Sequence, residues 1–140
     1  MMLYWFLMVE RRMDFKVGQK STYSRTFTEE DVKLFGELSG DKGIHHIKPD
    51  RLGRIMVQGL LTATIPTKMG GDMNYIARDM LVHFVKPVYV GDNVKCDAEV
   101  AKVEEDTGFL RLKIKMNCVN DTGVEVLVGE TNGIIKKAMI

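Results

Sequence analysis

The chain has 140 residues, a length that suits one domain and leaves little room for two. Apolar residues make up 45% and charged residues 28%, the balance of an ordinary globular domain with a core of its own rather than a disordered tail. The formal net charge of +1 supplies no basic field for nucleic acid. The opening run, Met1 to Val9, is apolar and aromatic but too short to span a bilayer. Arg11 and Arg12 follow that run, whereas a secretory signal carries its charge before it. Residues 1–12 are therefore read as an appendage ahead of one domain at 13–140, with Met13 a candidate translation start. An interfacial anchor is the competing reading of the same run.

Ser21 to Phe27 alternates polar and apolar residues and predicts a strand. Thr28-Glu-Glu-Asp31 predicts a helix start, because the Thr28 hydroxyl can cap and Asp31 stands where a capping box places its acid. Val32, Phe35 and Leu38 follow at spacing three and predict one apolar face, and Gly40 ends the helix. Asp41 to Asp50 is expected to be a loop closed by Pro49. Leu60 to Met69 is apolar nearly all round, which predicts a buried helix. Pro66 should kink or end that helix, and Gly70-Gly71 should terminate it.

From Asn74 onward the texture is β. Strands are expected at Tyr75 to Phe84, Val94 to Val103, Phe109 to Val119 and Val124 to Lys136. Asn120-Asp-Thr-Gly123 is a hairpin signal. Tight turns predict antiparallel meander order. The concave face of such a sheet must be covered, and only the Leu60 to Met69 helix is apolar enough to cover it. The expected fold class is therefore α+β, with an antiparallel sheet wrapped around a central buried helix.

Cys96 and Cys118 stand in strand runs outside any C-x-x-C pair, so no zinc or redox motif is present. They read as small apolar residues in a reducing, cytoplasmic setting. His83 lies inside an apolar strand and reads as a structural histidine. Met56, Met69, Met73 and Met80 read as core filler or pocket lining. The adjacent His45 and His46 have no carboxylate or cysteine at ligand spacing, so neither a metal nor another cofactor is expected. Taken singly, Asp41 after Gly40 fits a turn, His45 and His46 fit a solvent-facing loop, and Gly59 fits a packing position.

Taken in order, these residues resemble a known family. Phe27-Thr-Glu-Glu-Asp-Val-Lys-Leu-Phe-Gly-Glu-Leu-Ser-Gly-Asp41 is similar to the opening of the MaoC-like, (R)-specific enoyl-CoA hydratase family of hot-dog domains. The family motif runs Ser-Gly-Asp-x-Asn-Pro-(Ile/Leu)-His-x-Asp-Pro, and Asp41, His46 and Pro49 fall in register with it. Gly53-Arg54 and Val57-Gln-Gly59-Leu60 resemble the family's Gly-Arg-Pro-Ile-Val-His-Gly-Met. Phe84-Val-Lys-Pro-Val-Tyr-Val-Gly-Asp-Asn-Val94 resembles its Phe-x-x-Pro-Val-x-x-Gly-Asp-x-Val segment. The likeness covers roughly Lys20 to Lys136. The chain departs from the motif at Gly43, Ile44, His45, Lys48 and Gln58, and its segment between Pro49 and Gly53 is several residues shorter.

The resemblance implies a hot-dog domain that hydrates a 2-enoyl thioester or dehydrates an (R)-3-hydroxyacyl thioester, carried on CoA or acyl carrier protein. Such a reaction needs a water held and deprotonated, a proton for C2 and a stabilised thioester oxygen. The resemblance assigns the water to Asp41 and His46. It assigns the oxyanion and substrate contacts to the helix start, with Gln58, Gly59, Leu60 and Thr62; a free helix N-terminus suits that role. The Thr62 hydroxyl is expected to orient Asp41 or the thioester. The implied partners are the thioester substrate and a second copy, as a homodimer or an assembly of dimers, with no nucleic acid and no membrane span. Two alternatives stay open. One is a hot-dog acyl-CoA thioesterase, disfavoured because Leu60 to Met69 carries no Asp or Glu. The other is a non-catalytic thioester-binding subunit.

Overall fold

The computed structural model describes residues 15–139, so the expected appendage at 1–12 lies outside the described residues. Strand β1 (Lys20–Thr26) leads into helix α1 (Glu29–Ser39) and a 3-10 turn at Ile44–His46. Helices α2 (Gly59–Thr62) and α3 (Thr64–Asp72) follow, then strands β2 (Ile76–Phe84), β3 (Asn93–Asp106), β4 (Phe109–Asn120) and β5 (Glu125–Lys136). The five strands form one antiparallel sheet in the order β1-β3-β4-β5-β2.

Period-two patterning makes one face of this sheet apolar. On β4, Leu110, Leu112, Ile114, Met116 and Cys118 are all buried, and the residues between them are not. The helices lie on that face. Leu61, Ile65 and Met69 share a core with Val94, Cys96, Met116, Cys118 and Leu127. Each apolar side chain so buried contributes on the order of 1.5–3 kcal/mol relative to exposure. Cys96 and Cys118 are opposite one another in register, fully buried and free. Cys118 donates its S–H to Cys96; that bond, together with burial, raises the Cys118 thiol, and the same bond lowers Cys96 against the opposing effect of burial.

Several sequence expectations need correction. The four late strands do not form a meander, because β2 pairs with β5 rather than β3. Only β3-β4-β5 are joined by tight turns. The β2 to β3 connection contains Pro87 and is long enough to cross the sheet's end. The helical run is divided at Ala63, three residues before Pro66, which has no N–H to offer the Thr62 carbonyl. Pro66 then falls in the first turn of α3, where a missing donor costs least. Gly70 and Gly71 lie inside α3, and the reversal comes at Asn74, which takes the left-handed conformation (φ 56°). Nor is the run buried all round, since Leu60 is 67% exposed.

Leu38 is exposed as well, and Gly36 takes its expected place on the buried face of α1. His83 is exposed opposite Val128, because β2 is the sheet's edge and little covers it. The capping box at Thr28 and Asp31 forms as expected. The Thr28 backbone N–H holds the Asp31 carboxyl below its ordinary range, with help from the Thr28 hydroxyl and Arg25.

Strand β2 can approach β5 only because β5 carries glycine at two contact points. A Cβ at Gly133 would lie 2.3 Å from the Ile76 carbonyl oxygen, and one at Gly129 would lie 2.4 Å from that of Leu81. Backbone cannot yield as a flexible side chain can. Gly133→Ala is therefore expected to lower stability by roughly 1–3 kcal/mol in urea unfolding. An unchanged midpoint would refute this account of the edge.

Candidate active site

Helix α1 ends at Gly40, which adopts φ 80° and turns the chain back toward the core. The Ser39 hydroxyl accepts the Asp41 N–H at 3.0 Å, and the Asp41 carboxylate accepts the Gly43 N–H at 3.4 Å. The 3-10 turn then carries His46 inward, leaving it 9% exposed. Its Nδ1 lies 2.6 Å from the Met56 carbonyl oxygen. A carbonyl can only accept, so Nδ1 must carry the hydrogen. In the neutral ring, Nε2 then keeps its lone pair. Nε2 lies 3.5 Å from Oδ2 of Asp41, whose side chain is half exposed. That separation is long for a direct hydrogen bond and leaves both atoms free to share a water.

The loop beyond His46 is tied down by its backbone. The Met56 N–H donates to the His45 carbonyl at 3.0 Å, and Met56 bridges to Tyr89. Val57 N–H donates to Val88 at 2.8 Å, and Val90 N–H donates to Ile55 at 2.9 Å. The short segment at Pro49 to Gly53 closes on itself. Asp50 accepts from the Leu52 and Arg54 backbones and from the Arg54 side chain, each at 2.9 Å. Those bonds, the Arg54 backbone N–H foremost, hold the Asp50 carboxyl below its ordinary range. The Arg54 guanidinium also stacks on Tyr89.

Asp41 and His46 are brought together, while the other expected site residues have different placements. Gln58 is fully buried, with Nε2 donating to the Val32 carbonyl at 2.9 Å and reaching that of Asp41 at 3.5 Å. Its Oε1 is buried with no partner among the described residues. Because its side chain points at α1, Gln58 does not cap the helix it precedes. The Thr62 hydroxyl is spent on the Gln58 carbonyl at 3.3 Å and does not reach Asp41. Gly59 faces the Phe84 ring, which a Cβ would meet at 3.0 Å. Two contributors have contacts that the sequence does not assign to them: Met56 acts through its carbonyl, and Phe84 packs its ring on Gly59.

Two cavities flank His46. One, of about 350 Å³, is lined by Asp41, Gln58, Gly36 and the α1 acids Glu29 and Glu37. The other, of about 310 Å³, is lined by Gly59, Thr62, Phe84, His45 and Lys86. Among the described residues no three His, Cys, Asp or Glu side chains are placed to hold a metal, and no helix is long and apolar enough to cross a membrane.

Comparison with known proteins decides the family. The (R)-specific enoyl-CoA hydratase of Aeromonas caviae is 31% identical over 110 residues, spanning 72% of this chain and 82% of that enzyme. The chain belongs to the MaoC-like, (R)-specific enoyl-CoA hydratase family. A mitochondrial 3-hydroxyacyl-[acyl-carrier-protein] dehydratase of Arabidopsis thaliana is 26% identical over 131 residues, spanning 86% of the chain and 77% of the relative. The solved (R)-hydratase of A. caviae superposes with TM-score 0.77 at 26% identity, covering 86% of this chain and 96% of that one. An unliganded R-hydratase of Pseudomonas aeruginosa superposes with TM-score 0.78 over 89% of this chain and 84% of that one; at 23% identity it supports the hot-dog fold alone. No family model matches the chain.

In this MaoC-like domain, Gln58 is the amide between α1 and the loop that carries Asp41. Gln58→Glu would set a carboxylate against two carbonyl oxygens. The variant is expected to lose about 3 kcal/mol of stability at pH 8. Its buried acid should titrate above the ordinary range, so the loss should shrink as pH falls and the acid takes up a proton. Equal losses at pH 8 and pH 5 in urea unfolding would contradict this placement.

Proposed function

We propose that this MaoC-like domain hydrates 2-enoyl thioesters and dehydrates (R)-3-hydroxyacyl thioesters, carried on CoA or acyl carrier protein. The observation that supports this most is the His46 ring, whose Nδ1–H is committed to Met56 and whose free Nε2 faces the Asp41 carboxylate. A water between them is oriented by two acceptors. As its oxygen attacks C3, its proton passes to the pair, and negative charge gathers on the thioester oxygen. The first N–H groups of α2, at Gly59 and Leu60, have no side-chain cap and are offered to that oxygen. Gly59, which has no Cβ, lets the Phe84 ring pack against this helix start. His46 then returns the proton to C2, so one water is added and both side chains are restored. The names of the A. caviae and A. thaliana relatives support the same reaction. A thioesterase is disfavoured because the helical run carries no acid before Asp72, which is paired with Lys68 at 2.6 Å.

With crotonyl-CoA, enoyl absorbance should fall without release of free thiol. Asp41→Asn and His46→Ala should each cut kcat/KM roughly 10²- to 10⁴-fold with the thermal midpoint retained. Thiol release would overturn the reading in favour of hydrolysis. Binding without turnover would favour a non-catalytic subunit.

The working unit is proposed to be a homodimer joined through β2. That strand pairs with β5 alone among the described strands and exposes Ile76, Met80, Leu81 and Phe84 along its length. An unpaired apolar edge is a template for a second copy. Sedimentation should therefore find a dimer, and Leu81→Lys should shift it toward monomer. A monomeric wild type would sink the proposal.

A further inference from the structure

The two cavities beside His46 differ in chemistry. The one on the Asp41 side is of mixed charge, with three carboxylates from Glu29, Glu37 and Asp41 beside the amines of Lys33 and Lys42. The one on the Gly59 side contains no carboxylate; its polar side chains are His45, His46, Thr62 and Lys86. Two of these four are already committed, since His46 Nδ1 is bonded to Met56 and the Thr62 hydroxyl to Gln58. What is left is the His45 ring and the Lys86 ammonium. Neither has a hydrogen bond or ion pair to its side-chain nitrogens among the described residues.

The His45 ring and the Lys86 backbone are held in place. The His45 ring packs edge-on against His46 with centroids 4.0 Å apart, and it occupies the space where a Cβ on Gly43 would come within 2.8 Å. Lys86 follows the end of β2, where its N–H points to the Val126 carbonyl at 3.4 Å, and Pro87 stiffens the next step. The result is a cavity next to the catalytic pair whose uncommitted side chains are one cation and one ring that can donate N–H.

We propose that His45 and Lys86 form a subsite for a negatively charged group on the thioester substrate. Lysine supplies the charge and histidine a directed donor, the combination that charge-assisted hydrogen bonding to oxyanions uses. The inference rests on the thioester reading of the same cavity. The anion is either a carboxylate on the acyl chain or a phosphate of the carrier arm, since both present the same oxygens.

Calorimetric binding of saturated thioesters tests this without requiring turnover. The probes are butyryl-CoA, succinyl-CoA and butyryl-N-acetylcysteamine, which has no phosphate. The variants are Lys86→Met and His45→Leu, both at exposed positions where folding is not at stake. If an acyl carboxylate is bound, each variant should weaken succinyl-CoA about tenfold more than butyryl-CoA. If a carrier phosphate is bound, each should weaken both CoA thioesters about tenfold and leave the N-acetylcysteamine thioester unchanged. Either pattern supports the subsite. Equal weakening of all three probes, or of none, overturns it, as does a wild type that binds no thioester. Crotonyl-CoA turnover is scored separately. A wild type that binds with the predicted pattern but does not hydrate keeps the subsite and loses the reaction.

Discussion

The hydrogen bond from His46 Nδ1 to the Met56 carbonyl is the contact on which the site depends. It joins a turn at the end of α1 to an extended segment ten residues later, and so closes the loop that carries both titratable groups. It also chooses the tautomer. An accepting carbonyl at Nδ1 leaves Nε2 as the atom that faces Asp41, with a lone pair to receive a proton. The Met56 segment is in turn held by Val88, Tyr89 and Val90, which lie between β2 and β3. A backbone contact to the body of the domain therefore sets the protonation pattern of a side chain in the cleft.

The rest of the site follows from how close the elements can come. Gly36 lets α1 lie against the Asp41 carbonyl, which a Cβ would meet at 3.3 Å, and Gly59 lets the α2 start lie under Phe84. The Gln58 amide fills the space between α1 and the Asp41 loop, and its oxygen has no partner among the described residues. A buried unpaired oxygen costs on the order of 1–3 kcal/mol, so the arrangement is held by the packing around it rather than by its own bonds. In place of a longer covering segment, Asp50 to Arg54 makes a turn bonded to itself. Arg54 of that turn stacks on Tyr89, which fixes the turn to the segment between β2 and β3.

Much of this was legible in the residues because it is local. The Thr28 and Asp31 cap, the stop at Gly40 and the strand at Phe109 to Val119 each follow from nearby residues, and each appears as expected. The pairing of Asp41 with His46 was legible only through resemblance to a motif, since five residues of loop do not by themselves aim two side chains at one point. What the residues hid depends on distant chain. His83 read as a structural histidine because its neighbours are apolar, yet strand order places it exposed on an edge. Gln58 and Thr62 looked like groups for a ligand, yet each spends its donor on backbone. The carbonyl of Met56 has no signature at all, because every residue has one.

The central claim is that Asp41 and His46 act on the same water. A double-mutant cycle on kcat/KM for crotonyl-CoA hydration tests it most directly. If the two side chains work as one unit, Asp41→Asn combined with His46→Ala should be about as slow as the worse single variant, because the second loss removes nothing still in use. If the two rate losses multiply in full, the residues act independently, and the shared water is wrong.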